Sequence, residues 1–170
     1  MPAEQHIQLI NQGTDVWNRW RESNPDETPD LSQADLRGKQ FSKINLKNAN
    51  LQDAKLQFCN LTGAVLNGAN ITKAKFLEAN LQYANLQNAT LEGANFFEAN
   101  LQYANLQNAN AKQAQFNDDV MLNQANLKGC DLRGATGLTV GQIESAMTDK
   151  TTKLPDYLDE ELEDGFLLQM

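Results

Sequence analysis

Three carboxylates at regular intervals are the most suggestive chemistry in the sequence: Glu78, Glu98 and Asp118 recur every twenty residues. If residues that far apart share a column, their side chains start about 5 Å apart, a separation at which a hard cation such as Ca2+ bridges oxygen ligands. Lys55 and Lys75 would fall on the same side and neutralise part of that charge. Hydrated surface carboxylates are the more economical account, and no metal site is assigned. Other chemistry is sparse. His6 is the single histidine. The chain has no Gly-rich phosphate loop, no Cys or His cluster and no serine elbow, so a nucleophile cannot be paired with a base. Neither a catalytic group nor a cofactor is expected.

The elements that position these residues follow from one period. A constant step of five connects the large apolar residues from Leu31 to Phe116, with Ala111 the one small member. Two residues ahead runs a second series that is alanine except at Lys39, Ile44 and Cys59. On an α-helix a step of five advances about 140°, so no apolar stripe forms. On a strand an odd step sends successive leucines to opposite faces. Burial on one side therefore requires a constant inward turn every five residues.

The size of that turn is visible in a longer echo. Residues 78–90 read EANLQYANLQNAT and residues 98–110 read EANLQYANLQNAN. If the environment recurs after twenty residues, each five-residue unit turns about 90° and the chain winds as a square coil with laps about 4.8 Å apart. Phe76, Phe96 and Phe116 then share one column, above Leu56 and Leu36, while Leu46, Leu66, Leu86 and Leu106 fill another. The alanines suit a tube with room for one bulky group per side.

The stretch ANLQYANLQNATLEGANFFEANLQYANLQNAN resembles the pentapeptide-repeat proteins over residues 29–137. That resemblance implies an all-β solenoid, a right-handed quadrilateral β-helix with tight turns at its corners. The tails VWNRWRESNP and GLTVGQIESAMTDKTTKLP are similar to those of cyanobacterial members. Some proteins of that family bind DNA gyrase through an acidic rod that mimics duplex DNA.

Interruptions and ends complete the architecture. After Phe116 the next large residue in phase is Leu122, so one residue has been added within Asn117, Asp118 and Asp119, to be absorbed by a bulge or short loop. Lys39, at a nominally inward position, predicts an irregular first coil with its ammonium reaching solvent. Open solenoid ends expose core and need covering. Residues 1–28 read as a helical cap and linker, with helices at 4–12 and 14–22 around Gly13 and an apolar set of Ile7, Ile10, Val16, Trp17 and Trp20. The alternative role for Trp17 and Trp20, a ligand cage, is less economical. Residues 138–170 read as a C-terminal helix and acidic tail, opened by a capping box from Thr139 to Gln142 and running to about Thr148 with Ile143 and Met147 on one face. In the last stretch Leu158, Leu162 and Phe166 would share a helix face interrupted by Gly165, with three roles open to it: docking on the coil, pairing with a second copy, or serving as a mobile acidic tail. Cys59 and Cys130, about three and a half coils apart, are too distant for a disulfide and read as core thiols replacing alanine.

Charge and apolar surface frame the function. The net charge is −8, but residues 31–137 carry eight acidic and ten basic side chains, a net +2. A near-neutral shaft disfavours both a DNA mimic and direct nucleic-acid binding. No apolar run approaches the roughly 20 residues that span a membrane, and MPAEQHIQLINQG lacks the features of a secretory leader, so a cytoplasmic location is the default. The remaining candidate is a surface for an unidentified protein partner. Phe58, Leu77, Phe97, Tyr83 and Tyr103 point outward in the register. The tyrosine pair reads as a stack between laps and Phe58, Leu77 and Phe97 as an apolar strip of the kind found at interfaces. The expected role is a non-enzymatic scaffold or regulatory binding module, with a topoisomerase-directed DNA mimic as the alternative.

Overall fold

The structure, a computed structural model, describes residues 3–158. Its shaft is a coil of twenty-residue laps. Parallel bridges join residues twenty apart from Asp30↔Asn50 to Asn95↔Gln115, four bridge positions to each lap. Each bridge is a single residue, because every five-residue side must spend the rest of its length turning. Asn80 shows the pattern: its N–H donates to the Cys59 carbonyl at 2.9 Å, and its own carbonyl accepts from Leu61 at 2.7 Å.

Two sequence positions build each corner. The large inward residue accepts a hydrogen bond from the small residue three places on, as in Ala84 N–H to Leu81 C=O at 3.0 Å. The residue just before that small one has positive φ, 59° at Tyr83 and 65° at Gly63, the signature of a type II turn. The asparagine before the large residue reinforces the turn: Asn80 Oδ1 accepts from Gln82 N–H at 3.1 Å, an Asx arrangement. Some asparagines also bond from lap to lap, as Asn70 Nδ2 does to Asn50 Oδ1 at 3.2 Å.

Inward-facing residues form the core. Leu31 through Leu132 in the large series and the alanines beside them are buried, and Phe76 stacks on Phe96 at 5.2 Å, as Phe96 does on Phe116 at 5.5 Å. Cys59 and Cys130 are free, buried thiols in the small series. Lys39 is half-buried, yet the backbone there keeps its register, with Gln40 bridged to Asn60. The expected irregular first coil is therefore not found, since the long side chain alone absorbs the mismatch.

The added residue is Asn117. Bridges step by twenty-one after it, from Asn100↔Met121 to Asn126↔Met147, and by twenty-two at Asp131↔Lys153. At this corner Val120 N–H bonds to the Asn117 carbonyl, where Phe116 would have served in a regular unit, and Val120 is buried in the small series.

The first lap has no lap beneath it, and two helices cover it. These are α1 (Ala3–Ile10) and α2 (Thr14–Ser23), joined through Gly13 at φ 102°. Their side chains meet backbone groups of the exposed lap. Trp17, fully buried, donates to the Asn45 carbonyl at 2.7 Å, Arg21 to that of Lys47 at 3.1 Å, and His6 Nδ1 accepts from Asp30 N–H at 3.2 Å. Trp17 packs at 5.1 Å against Trp20, and Trp20 against His6 at 5.2 Å. The pair is thus part of a lid on the coil, not a cage.

At the other end α3 (Val140–Ser145) carries the expected capping box between Thr139 and Gln142. The helix ends before Met147, which is exposed and bridges Asn126, and a further bridge joins Lys153 to Asp131. The coil therefore pairs well beyond residue 137, with α3 standing in for one side of its last lap. The expected helix to Thr148 is shorter for that reason.

Candidate functional site

The outward candidates fall on one side of the rod and its adjoining corners. Gln57, Leu77 and Phe97 follow one another at intervals of twenty, each just after the inward residue of the phenylalanine column. Leu77 and Phe97 line a groove of about 690 Å3 together with Asp53, Gln57, Lys73 and Lys75. Phe58 lies one residue further along, on the corner occupied in later laps by Glu78 and Glu98; it is 52% exposed and outside the groove. The expected strip is thus divided at the corner: Leu77 and Phe97 line one groove, and Phe58 lies outside it.

Tyr83 and Tyr103 occupy the next corner. Their rings stack at 5.0 Å with planes 7° apart, and both are at least half exposed. Each sits at a positive-φ position, so the corner turns the ring outward and the stack ties adjacent laps together.

The carboxylate column takes a different course from the one expected. The extra residue at Asn117 moves Asp118 out of line, and Asp119 instead borders the shallow pocket with Glu78 and Glu98. Among the described residues no group of three or more His, Cys, Asp or Glu is placed to hold a metal ion. Lys55, Lys73 and Lys75 are exposed, and among the described residues none forms an ion pair within 4.0 Å. Gln57 Oε1, at the foot of the groove, is sealed from solvent and has no hydrogen-bond donor among the described residues.

Charge is organised elsewhere. Asp131 receives Arg133 at 2.7 Å, Lys112 at 3.7 Å and Lys153 at 3.9 Å, from three successive laps. The Arg133 hydrogen bond is the main reason its carboxyl is held down at about 2. Asp35 is likewise held at about 2 by Arg37. Burial pushes the Cys130 thiol up to about 12 and raises that of Cys59, which leaves both thiols protonated and unreactive. Sequence reasoning missed two contributors to the ends of the rod, His6 and Gln142. Gln142 Nε2 donates to the carbonyls of Asn117 and Val120, at 2.8 and 2.9 Å, while its Oε1 accepts from Thr139 N–H. Only the capping-box spacing of Gln142 signalled any role.

A four-sided coil of five-residue units, with a helical lid at its start and a largely polar exterior, defines a solenoid repeat protein. The chain belongs to the pentapeptide repeat family: the family model for pentapeptide repeats matches in eight copies spanning residues 30–57, 49–82, 59–96, 74–110 and 94–136. Similar solved structures include a pentapeptide repeat protein of the Arabidopsis thaliana thylakoid lumen, 32% identical over 64% of this chain and 70% of that one, with a TM-score of 0.31. Another is the protein Rfr23 of the cyanobacterium Cyanothece 51142, 27% identical over 81% of this chain and 97% of that one, with a TM-score of 0.38. HetL of Nostoc sp. strain PCC 7120, involved in heterocyst differentiation regulation, is 20% identical over 77% and 76%, with a TM-score of 0.29. No curated protein sequence matches the chain. Among the described residues no helix is long and apolar enough to cross a membrane.

Proposed function

We propose that the protein is a non-enzymatic scaffold or regulatory module, working in the cytoplasm, whose rod is a right-handed quadrilateral β-helix of the kind its family implies. Its partner is a protein that docks on the groove of Leu77 and Phe97. The single observation that carries this reading is the presence of these two apolar side chains in one groove with Lys73 and Lys75, which form no ion pair within 4.0 Å among the described residues. An apolar centre with a polar rim is the usual anatomy of a binding surface. A topoisomerase-directed DNA mimic has no comparable support, because residues 31–137 carry a net +2.

The test is affinity capture from the native host with the wild type and a Leu77→Glu, Phe97→Glu double variant. Both substitutions lie outside the core, so the variant folds. The proposal expects specific proteins to be retained by the wild type and lost by the variant. Equal capture by both overturns it.

A further inference from the structure

We propose that the groove takes an acidic segment of a partner protein, laid along the rod in extended form. Its carboxylates meet Lys73 and Lys75, and apolar side chains between them meet Leu77 and Phe97. The inference rests on the reading of this face as the binding surface, and it names the chemistry that the surface selects.

The first observation is arrangement. Lys55, Lys75, Asn95 and Gln115 are bridged in succession, so they form one column along the rod. On its lap Lys73 comes before that column and Leu77 after it. Phe97 belongs to the next lap, and its carbonyl accepts from Glu78 N–H at 3.0 Å. The groove therefore has a cationic edge and an apolar edge, side by side. An extended chain sends successive side chains to opposite sides, so a segment that alternates carboxylate and apolar residues satisfies both edges at once. The lining runs over four laps, from Asp53 to Gln113, or about 14 Å. About six extended residues, reaching about 20 Å, are enough to follow it.

The second is charge. Among the described residues Lys55, Lys73 and Lys75 form no ion pair within 4.0 Å. Asp35, bridged to Lys55, is engaged through both oxygens by Arg37, at 2.8 and 2.6 Å. Against these three lysines the lining sets one carboxylate, Asp53. Further along the rod Asp131 gathers Arg133, Lys112 and Lys153 around itself. The groove has no such centre, and the carboxylates of a partner supply it. Apolar contact with Leu77 and Phe97 excludes water from beside these pairs and strengthens them.

The third is access. Gly93 leaves the corner between Lys73 and Gln113 without a side chain, and Lys73 Cγ lies 3.4 Å from where a Cβ there would stand. The cationic edge is thus open from the side at the lap of Phe97.

The experiment is an NMR titration of the 15N-labelled full chain with a capped hexapeptide that alternates glutamate with leucine or phenylalanine. The proposal expects saturable shifts confined to the amides around Lys75, Leu77, Asn95 and Phe97. Affinity is expected to fall at least about tenfold in Lys73→Glu, Lys75→Glu and in Leu77→Ala, Phe97→Ala. The lysine-reversed variant is expected to bind the same peptide with lysine in place of glutamate, a rescue that a misfolded chain cannot show. Hexaglutamate and an oligothymidylate are expected to bind at least about tenfold more weakly than the probe. Shifts on another face, no shifts, indifference to the lysine reversal, or equal binding of hexaglutamate or the oligonucleotide overturns the proposal. Failure of the partner reading is distinguishable: it shows as unchanged host capture by the Leu77→Glu, Phe97→Glu variant. Capture lost in that variant and kept by Lys73→Glu, Lys75→Glu leaves the partner reading standing and overturns the acidic class alone.

Discussion

The rings of Phe76 and Phe96, twenty residues apart in sequence, lie 5.2 Å apart with their planes 8° from parallel. One lap of the coil thus places like on like, and the core is a set of such columns. Because each lap touches only its neighbours, a cavity cannot be refilled from elsewhere. Phe96→Ala, in the middle of the phenylalanine column, is expected to cost about 3–5 kcal/mol in urea unfolding. The exposed Tyr83 stacks just as closely on Tyr103, but Tyr83→Ala is expected to cost no more than about 1 kcal/mol, since solvent already reaches both rings.

The glycines separate conformational need from close approach. Gly38 and Gly137 both have positive φ, 68° and 78°, but a Cβ at Gly38 meets nothing within 4 Å, whereas one at Gly137 collides with the carbonyl of Phe116. Gly38→Ala is expected to lower stability by about 1 kcal/mol, the strain of the left-handed region alone. Gly137→Ala must displace backbone and is expected to cost at least about 3 kcal/mol. Parallel thermal melts of the two variants check the contrast.

Gln142 joins the last helix to the irregular corner. Gln142→Ala removes the reciprocal half of the capping box, takes the side-chain donor from the Val120 carbonyl and leaves the Asn117 carbonyl with Val120 N–H alone. The expected loss is about 2 kcal/mol, against about 1 kcal/mol for Thr139→Ala. Hydrogen exchange resolves the effect by place: the amide of Val120 should speed up in the first variant and hold in the second.

Asp131 gives the fold an acid-sensitive contact. Its carboxyl sits at about 2, below the ordinary 3.8, chiefly through the Arg133 hydrogen bond. A depressed folded value means that the contribution is complete above the unfolded value and is lost as pH falls from about 4 to about 2. Arg133 and Lys153 are more than half exposed, so screening limits the effect to about 1 kcal/mol. Asp131→Asn should flatten the stability profile over that window and leave its slope elsewhere unchanged.

The period of five made the core legible from the residues alone, since only an inward turn at every unit buries Leu46, Leu66, Leu86 and Leu106 together. The extra residue near Asn117 was legible too, because it broke that phase. The conformation of the corners was not drawn from the sequence, although Gly38, Gly63, Gly68 and Gly93 all fall in one five-residue series. That clustering is the trace of positive φ, which Tyr83, Glu78 and Phe58 adopt without help from glycine. The same corners explain why Phe58 left the expected strip: one step along the chain at a corner changes the face. Pairing through Met147 and Lys153 was hidden because α3 replaces one side and breaks the five-residue phase. Of the helix face expected for Leu158, Leu162 and Phe166, the last two residues lie outside the described residues.

The most direct test of the binding face is hydrogen exchange on the complex captured from the native host, compared with the free protein. The account predicts new protection confined to the side of the rod that carries Lys75, Leu77, Asn95 and Phe97, with the corner of Tyr83 and Tyr103 unchanged. Protection centred on the tyrosine corner, with the amides around Leu77 and Phe97 exchanging as in the free protein, would contradict it.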